Sequence, residues 1–487
     1  MTRDTAGRTA PYTLLVWFGC GNVLLALHLA LLALSRQFIY GEDMRQRPIV
    51  WLVVLLMSAA VVYFVPLLFV RRTVPTRTLL LWVVLLGAAL RLVYFPSQAM
   101  QEDDFYRYLW DGGKVAHGWN PYGHRPEDVA LGMPQVPRAL YELGQASGRI
   151  LERVNHPHLG TIYPPVAQAV FALAHLIAPW SFMALKAVFL AIDFAALGLL
   201  LIALRQLGRS PLWATAYWWN PLLIKEAYNS GHMDVLLVPL LLGAFVLVAR
   251  RQIVAAMLPL AGAVAVKVWP ILLLPLFLCP RWPHRMRIAG AGLVFGVAAA
   301  ALLAPMLGIR ALGGDSGVVQ YSMRWEMNDA LFMVFPWAAS HIGTWLEFDW
   351  DARTTHRIGR LVAAGLAGLV ALAVALRRDT RPQAIASGAL VASTALLLVS
   401  PTQFPWYYYW VAPFLALRPS PGVLSMTLML PVYYLKFHYD ARGQIDFFHY
   451  TVVWFEWLPV WLVLAGELLW RGRRPARPTV PRPSAAA

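Results

Sequence analysis

Gln101-Glu102-Asp103-Asp104-Phe105-Tyr106-Arg107-Tyr108-Leu109-Trp110-Asp111-Gly112-Gly113-Lys114-Val115-Ala116-His117-Gly118-Trp119-Asn120-Pro121-Tyr122 follows directly on a run that is almost wholly apolar. Three consecutive acids beside hydrocarbon are costly unless they sit in water or serve a function. Two readings are open. In one, the stretch is a solvated loop in which Asp103 or Asp104 caps a helix. In the other, an acid here is a general base at a membrane surface. If residues 104–116 are helical, Asp104, Tyr108 and Asp111 share one face, at i, i+4 and i+7. Asp111 then has the simpler alternative of stabilising that helix.

Outward from this stretch the chain is mostly hydrocarbon. Of 487 residues, 59% are hydrophobic and 14% charged, whereas a soluble domain has roughly 25% charged residues. Apolar runs recur from end to end, many close to the roughly 20 residues that span a bilayer. The segments 12–35, 48–70, 78–95, 181–204, 211–228, 234–250, 252–266, 268–280, 288–307, 358–376, 383–400, 405–418, 422–437 and 450–470 predict an all-α polytopic protein with about 14 crossings. Residues 164–179 and 329–346 are apolar but fit better as interfacial or re-entrant helices. Residues 1–470 read as a single integral-membrane domain, and 471–487, rich in Pro and Arg, as a disordered basic cytoplasmic tail drawn to anionic lipid. The first apolar run is too long for a signal-peptide core and has no clear small-residue cleavage site, so it reads as a retained helix. Cys20 and Cys279 lie in or next to apolar segments and imply no disulfide framework. Many of the 21 Trp fall near helix ends, as an aromatic belt would place them.

The net charge of +16 does not imply a nucleic-acid partner, because the basic residues lie in short loops beside apolar runs. If the chain breaks near Lys267, one side receives the N-terminus, the loops 71–77, 205–210, 250–251, 281–287, 377–381 and 418–421, and the tail. That side carries most of the Arg residues, with Asp4 and Asp379 as its only acids. Excess Arg in short loops marks the cytoplasm. A single helix over 252–280 would instead turn the Arg-rich loops 281–287 and 377–381 outward, and Pro270 also favours a break. The opposite, extracytoplasmic face then receives 96–163, the Asn229–Asp234 turn, Lys267, 308–357, 400–405 and 438–449. Nearly every unusual polar cluster converges there. The localisation expected is a multi-pass inner (cytoplasmic) membrane protein with its active site facing the periplasm.

The clusters are these. Asn120-Pro121-Tyr122, Asn155-His156-Pro157-His158 and Tyr163-Pro164-Pro165 lie in or close the long loop. The His pair has no further Cys or His at metal-ligand spacing, and no metal is expected. Asn220-Pro221 leads to Asn229-Ser230-Gly231-His232-Met233-Asp234, beside Lys225 and Glu226, which are placed to pair. A polar turn between helices is the simpler reading of that cluster. Lys267 either snorkels or holds a phosphate as a point charge. Lys186 and Asp193 fit pairing between neighbouring helices. Arg324-Trp325-Glu326-Met327-Asn328 and Ser400-Pro401-Thr402-Gln403-Phe404-Pro405-Trp406-Tyr407 add the aromatic and amide groups that stack on a sugar and bond its hydroxyls. No P-loop and no GxGxxG fingerprint is present, so a lipid-borne activated substrate is the natural alternative to a nucleotide.

Taken in order, Asp103-Asp104-Phe105-Tyr106-Arg107-Tyr108-Leu109-Trp110-Asp111-Gly112, Asn120-Pro121-Tyr122, Tyr163-Pro164-Pro165, Asn220-Pro221, Ser230-Gly231-His232-Met233-Asp234, Lys267-Val268-Trp269-Pro270, Trp325-Glu326-Met327-Asn328 and Gln403-Phe404-Pro405-Trp406-Tyr407 resemble type C membrane glycosyltransferases. Among these the set is most similar to the bacterial polyprenol-phosphate-mannose-dependent mannosyltransferases, and more distantly to the first mannosyltransferase of GPI-anchor synthesis. The resemblance covers about 100–410. It departs where some members carry a His after the late Ser-Pro; here Phe404 and Trp406 occupy that region.

The resemblance implies an inverting glycosyltransferase with a large extracytoplasmic loop. It would move a hexose, mannose first, from a polyprenyl-phosphate sugar to a lipid- or glycan-linked acceptor in the cell envelope. It implies Asp104, then Asp103, as the catalytic base. Tyr108, Asn120, Tyr122, Tyr163, His232, Asp234, Lys267, Arg324, Trp325, Asn328 and Gln403 are the expected substrate-binding residues, with Arg107 a further candidate for the phosphate. No cofactor is called for, and membrane lipids are the other partners. The alternatives are a lipid-linked sugar flippase or transporter, which would more often show paired half-repeats, and an oligosaccharide polymerase or ligase.

Overall fold

The computed structural model describes residues 11–278, 284–306 and 317–472. The expected disordered tail lies outside the described residues from 473 on, and its first two residues, Arg471 and Gly472, close the last helix. Cys279, Arg281 and the N-terminal Arg3 and Arg8 also lie outside the described residues.

The described residues are helical and carry no strand, only a single parallel bridge between Met327 and Thr402. Among the described residues, seven helices are long and apolar enough to cross a membrane: Tyr12–Ser35, Ile49–Arg72, Phe182–Gln206, Arg285–Met306, Ala352–Leu376, Pro382–Val399 and Ile445–Arg471. Together they indicate a multi-pass membrane protein. Pro221–Tyr228 and Met233–Ala249 meet at 108° and make an eighth if the bent pair is one span. The expected count of about 14 is not confirmed. The difference lies in 78–95, where the helix Arg77–Leu92 has only 16 residues, and in 211–228, 234–250, 252–266, the described part of 268–280, 405–418 and 422–437, which fold as short helices and turns. Pro211, Pro221, Pro270, Pro405, Pro413, Pro421 and Pro431 each sit at the start of a new helix. Proline lacks the N–H that would continue the preceding turn, and its ring crowds that turn.

These short helices are apolar because other helices surround them. Every side chain from Leu212 to Val238 is buried. Irregular backbone is tolerated at membrane depth only where protein, not lipid, covers it. Charges inside this bundle meet partners. Arg91 Nε donates to Asp193 at 2.7 Å, and its guanidinium lies 3.5 Å from the Trp218 ring centroid. Asp193 also accepts from the hydroxyls of Tyr217 and Tyr228. Lys186 Nζ donates to the carbonyl of Tyr94 at 2.8 Å.

The long loop folds into four short helices, Asp104–Ala116, Pro126–Ala130, Arg138–Ala146 and Arg149–Glu152. Trp110, Val129, Leu140, Leu151 and Val154 give it a small core of its own. The apolar stretch 164–179 supplies the partner helix Pro165–Ile177. Gly112 permits the close crossing, since a Cβ there would stand 2.4 Å from the Phe171 carbonyl oxygen. The Tyr108 ring then stacks on Phe171 at 4.5 Å between centroids. Pro165–Ile177 is tied to the bundle by the Val166 N–H, which donates to the Ala265 carbonyl. Ala265 opens the break between Ile253–Val264 and Trp269–Leu273. Lys267 sits in that break, where the sequence places it.

Candidate active site

A cavity of about 1410 Å³ lies where these pieces meet. Asp103, Asp104, Tyr108, Tyr163, Asp234, Lys267 and Trp325 all line it. Segments more than 200 residues apart in the chain thus contribute to one space, as their order in the sequence suggests.

Asp104 opens the helix Asp104–Ala116, and Asp103 holds the N-cap position. Neither acid is spent on capping in the expected way, because the Asp103 side chain makes no cap hydrogen bond. Instead Asn155 Nδ2 donates to Oδ1 of Asp103 at 2.9 Å and to Oδ1 of Asp104 at 2.7 Å. Tyr163 donates its hydroxyl to Oδ2 of Asp104 at 3.3 Å, and the Tyr108 hydroxyl lies 3.5 Å from the same oxygen. Asp104 remains 24% exposed, toward the cavity. Burial, and next the Asp104 charge, pushes the Asp103 carboxyl up to about 6. Burial and then Asp104 hold the Tyr163 phenol well above its usual value, so it stays a donor. Burial likewise raises the Glu102 carboxyl well above the ordinary carboxylate range.

Lys267 is paired. Its Nζ donates to Oδ1 of Asp234 at 2.7 Å and lies 4.0 Å from the Tyr407 ring centroid. Asp234 also accepts from Trp410 Nε1 at 2.9 Å. Asp234 is 2% exposed and Lys267 22%, so of the two, which both line the cavity, Lys267 is the more open. The late aromatic segment is placed by the bridge between Met327 and Thr402: Met327 N–H donates to the Pro401 carbonyl and Gln403 N–H to the Met327 carbonyl. That stitch presents Trp325, Thr402 and Tyr407 to the cavity.

Six of the expected binding residues do not line the cavity. Asn120 turns its side chain to the Tyr122 N–H. Tyr122 donates to the Tyr163 carbonyl at 2.8 Å and so supports Tyr163 from behind. Asn328 donates to the Gln403 carbonyl and to Glu456. Gln403 donates to the carbonyls of Leu398 and Ser400. Both hold the stitched segments together. Arg324 is exposed at the end of the helix Gly317–Arg324, outside the cavity lining. His232 is fully buried behind Asp104. Arg107 lines the cavity, but its guanidinium is taken up by the carbonyls of Asn155, His156 and Leu159. His156 packs against Trp325, and no group of His, Cys, Asp and Glu able to hold a metal occurs among the described residues.

The sequence reading did not single out Asn155 by itself, nor Arg360, Tyr321, Tyr433 and Lys436, which all line the cavity. Arg360 pairs with Glu326 at 2.7 Å, and His356 faces the same carboxylate at 2.8 Å. Asn155 carried a signal, its place in Asn155-His156-Pro157-His158. Arg360 carried none, because it lies among other basic residues at the start of a spanning helix.

Residues 161–401 match glycosyltransferase family 87. The match indicates a glycosyltransferase, consistent with a membrane glycosyltransferase superfamily. It takes in Tyr163, His232, Asp234, Lys267, Trp325 and Asn328, and it begins after Asp103 and Asp104. No curated protein and no solved structure matches the chain.

Proposed function

We propose, taking as premise that this membrane chain is a glycosyltransferase, that it moves a hexose from a polyprenyl-phosphate sugar to a lipid- or glycan-linked acceptor, with inversion. Mannose is the first choice of sugar. The site faces the extracytoplasmic side of the inner membrane, where nucleotide sugars are not at hand. One observation carries the reading. The Asp104 carboxylate and the Lys267 ammonium open into the same cavity, part of whose wall is hydrocarbon from two spanning helices, Ala363, Ala364, Leu396 and Val399. A donor whose chain stays in the bilayer and whose phosphate meets a cation fits such a space.

In the proposed step, Asp104 takes the proton from the acceptor hydroxyl. The acceptor oxygen bonds to the anomeric carbon from the face opposite the phosphate. The bond from that carbon to the phosphate oxygen breaks, and its electron pair leaves with the polyprenyl phosphate. A single displacement of this kind inverts the centre. Lys267 meets the charge that develops on the phosphate. Trp325, Tyr407 and Tyr433 supply faces for the sugar.

The test is transfer by purified protein in lipid from polyprenyl-phospho-mannose, -glucose, -galactose and -aminoarabinose, read as donor loss by mass spectrometry. Mannose consumption is expected, and GDP- and UDP-sugars should be inert. Asp104→Asn should stay folded and lose on the order of 10²–10⁴ in turnover, since an amide cannot take the proton. Turnover of a nucleotide sugar without lipid donor would overturn the reading. Lipid translocation without transfer would make the protein a flippase.

A further inference from the structure

His232 stands directly behind Asp104, and the mechanism above does not use it. Its ring is fully buried and stacks on Trp406 at 3.8 Å between centroids. Its Nδ1 is 3.8 Å from Oδ2 of Asp104. Its Nε2 is 3.6 Å from Oε2 of Glu226, which is also fully buried. Neither ring nitrogen has a hydrogen-bond partner, and neither does that Oε2. Buried polar atoms are nearly always partnered. Here three unpartnered atoms follow one another inward from the carboxylate that faces the cavity.

The backbone holds this row in place. Gly231 adopts φ +77°, and a Cβ on it would stand 2.5 Å from the Phe182 ring. Only glycine makes that turn readily. His232 N–H then donates to the Glu226 carbonyl at 2.9 Å, which ties the imidazole to the helix bearing the second acid. The other oxygen of Glu226 is occupied: Oε1 accepts from the Tyr434 hydroxyl at 2.7 Å and lies 3.4 Å from Lys225 Nζ. Lys225 gives the carboxylate a counter-charge and also donates to Ser230 and Tyr434. Lys267, Glu102 and Asp103 also face this row, as do the phenols of Tyr94, Tyr108, Tyr163 and Tyr433.

We infer that His232 and Glu226 form a proton path from Asp104 into the interior, used within each sugar transfer. As Asp104 gains the acceptor's proton, a proton passes from it to Nδ1 of His232, and Nε2 gives its own proton to Oε2 of Glu226. One proton enters the ring and one leaves, so the imidazole stays neutral and changes tautomer. Asp104 ends as a carboxylate and Glu226 as a carboxylic acid. After the products part, the reverse passage returns the proton to Asp104 and on to cavity water or the departing phosphate, and restores the tautomer. The gaps of 3.8 and 3.6 Å must each close by several tenths of an ångström, and such contacts often tighten only when substrate is bound. The benefit is chemical: a base facing a cavity filled by product has no water to discharge into.

This inference rests on Asp104 as the base. It is tested by single-turnover transfer from polyprenyl-phospho-mannose in mixtures of H₂O and D₂O. The wild-type rate should depend on deuterium fraction along a curve, because more than one proton moves in the step. Glu226→Gln and His232→Gln should slow the step by about 10- to 100-fold, leave donor and acceptor binding unchanged, and straighten the curve. Glu226→Asp, which keeps a carboxylate, should retain the curvature. An active wild-type protein with a straight dependence would overturn the path alone, even if the Gln variants failed to fold. A folded Glu226→Gln with wild-type rate and curvature would do the same. Inactivity toward every polyprenyl donor would overturn the function first, and the path with it.

Discussion

Asn155 donates one amide nitrogen to Asp104 at 2.7 Å, from a loop 51 residues further along the chain. The same nitrogen reaches Asp103 at 2.9 Å, so a single side chain holds two adjacent acids. It occupies Oδ1 of each and leaves Oδ2 of Asp104 toward the two tyrosines and the cavity.

Asn155→Ala should therefore free the Asp104 carboxylate to rotate. With Asp104 as base, turnover should fall on the order of tenfold or more while the Michaelis constants for donor and acceptor change little. Asn155→Asp should be worse, since it sets a third negative charge against the other two. Steady-state kinetics of the two variants check this. An Asn155→Ala enzyme with wild-type turnover would show that the amide merely fills space.

Asp103 gives a pH dependence of stability. Its carboxyl sits at about 6 in the folded chain against 3.8 for the free group, from burial first and Asp104 second. Between those values the native chain keeps a proton that the unfolded chain has lost. Stability should thus fall as pH rises from about 4 to about 6, and this contribution should be flat above that, at a total cost of roughly 1–3 kcal/mol. Asp103→Asn removes the charge and should melt higher than wild type at pH 7, with the two converging near pH 4. Thermal melts across that range decide it. A variant that melts lower at pH 7 would mean that the ionised form is stabilised by its surroundings.

What the sequence disclosed follows from how conspicuous a polar group is in hydrocarbon. Asp103, Asp104, Asp234 and Lys267 stand out against apolar neighbours, and the fold brings them round one cavity. Asn155 sits in a polar loop, where nothing marks one residue above the next, and Lys436, in the helix Leu435–Asp440, looks like the end of the span expected over 422–437. Arg360 falls beside Arg353 and Arg357 and looks like the edge of a span. The crossing count was less legible, for a physical reason. Pro221–Tyr228 and Met233–Ala249 together are apolar enough for one span, although protein encloses 212–238, and hydropathy does not distinguish the two solvents. Only the prolines and the turn at Gly231 show that this segment is broken. Asn120 and Gln403 have the right chemistry for a sugar, but their amides are consumed by the backbone around them.

Lys267 and Asp234 separate binding from folding. Lys267→Met would leave the Asp234 charge, 2% exposed, with the Trp410 Nε1–H still donating to it but no cation beside it. Removing one member of a buried pair costs about 3–5 kcal/mol, so the single variant should melt well below wild type. Lys267→Met with Asp234→Asn removes both charges and should recover most of that loss. If Lys267 meets the donor phosphate, the double variant should still bind polyprenyl-phosphate sugar on the order of tenfold more weakly. Melting temperature and donor affinity measured on both variants read the two roles apart. A double variant with wild-type affinity would reduce Lys267 to a partner of Asp234.

The last prediction concerns which way the cavity faces. In the expected topology Arg gathers in the short loops opposite the acid loop, and an excess of Arg in short loops marks the cytoplasmic side. With the chain turning back at Lys267, the acid loop and the late aromatic segment would share one side of the membrane, as the cavity they both line requires. Ala130 lies on the surface of the acid loop, and His284 is exposed just before the helix Arg285–Leu303. In a chain with Cys20 and Cys279 replaced, Ala130→Cys should react with a membrane-impermeant maleimide added to intact cells or spheroplasts. His284→Cys should react only after the membrane is opened. Labelling of position 284 from outside would invert the second half of the chain. It would also set Thr402 and Tyr407 across the bilayer from Asp104, which one shared cavity does not allow, so the spans between them would have to be counted again.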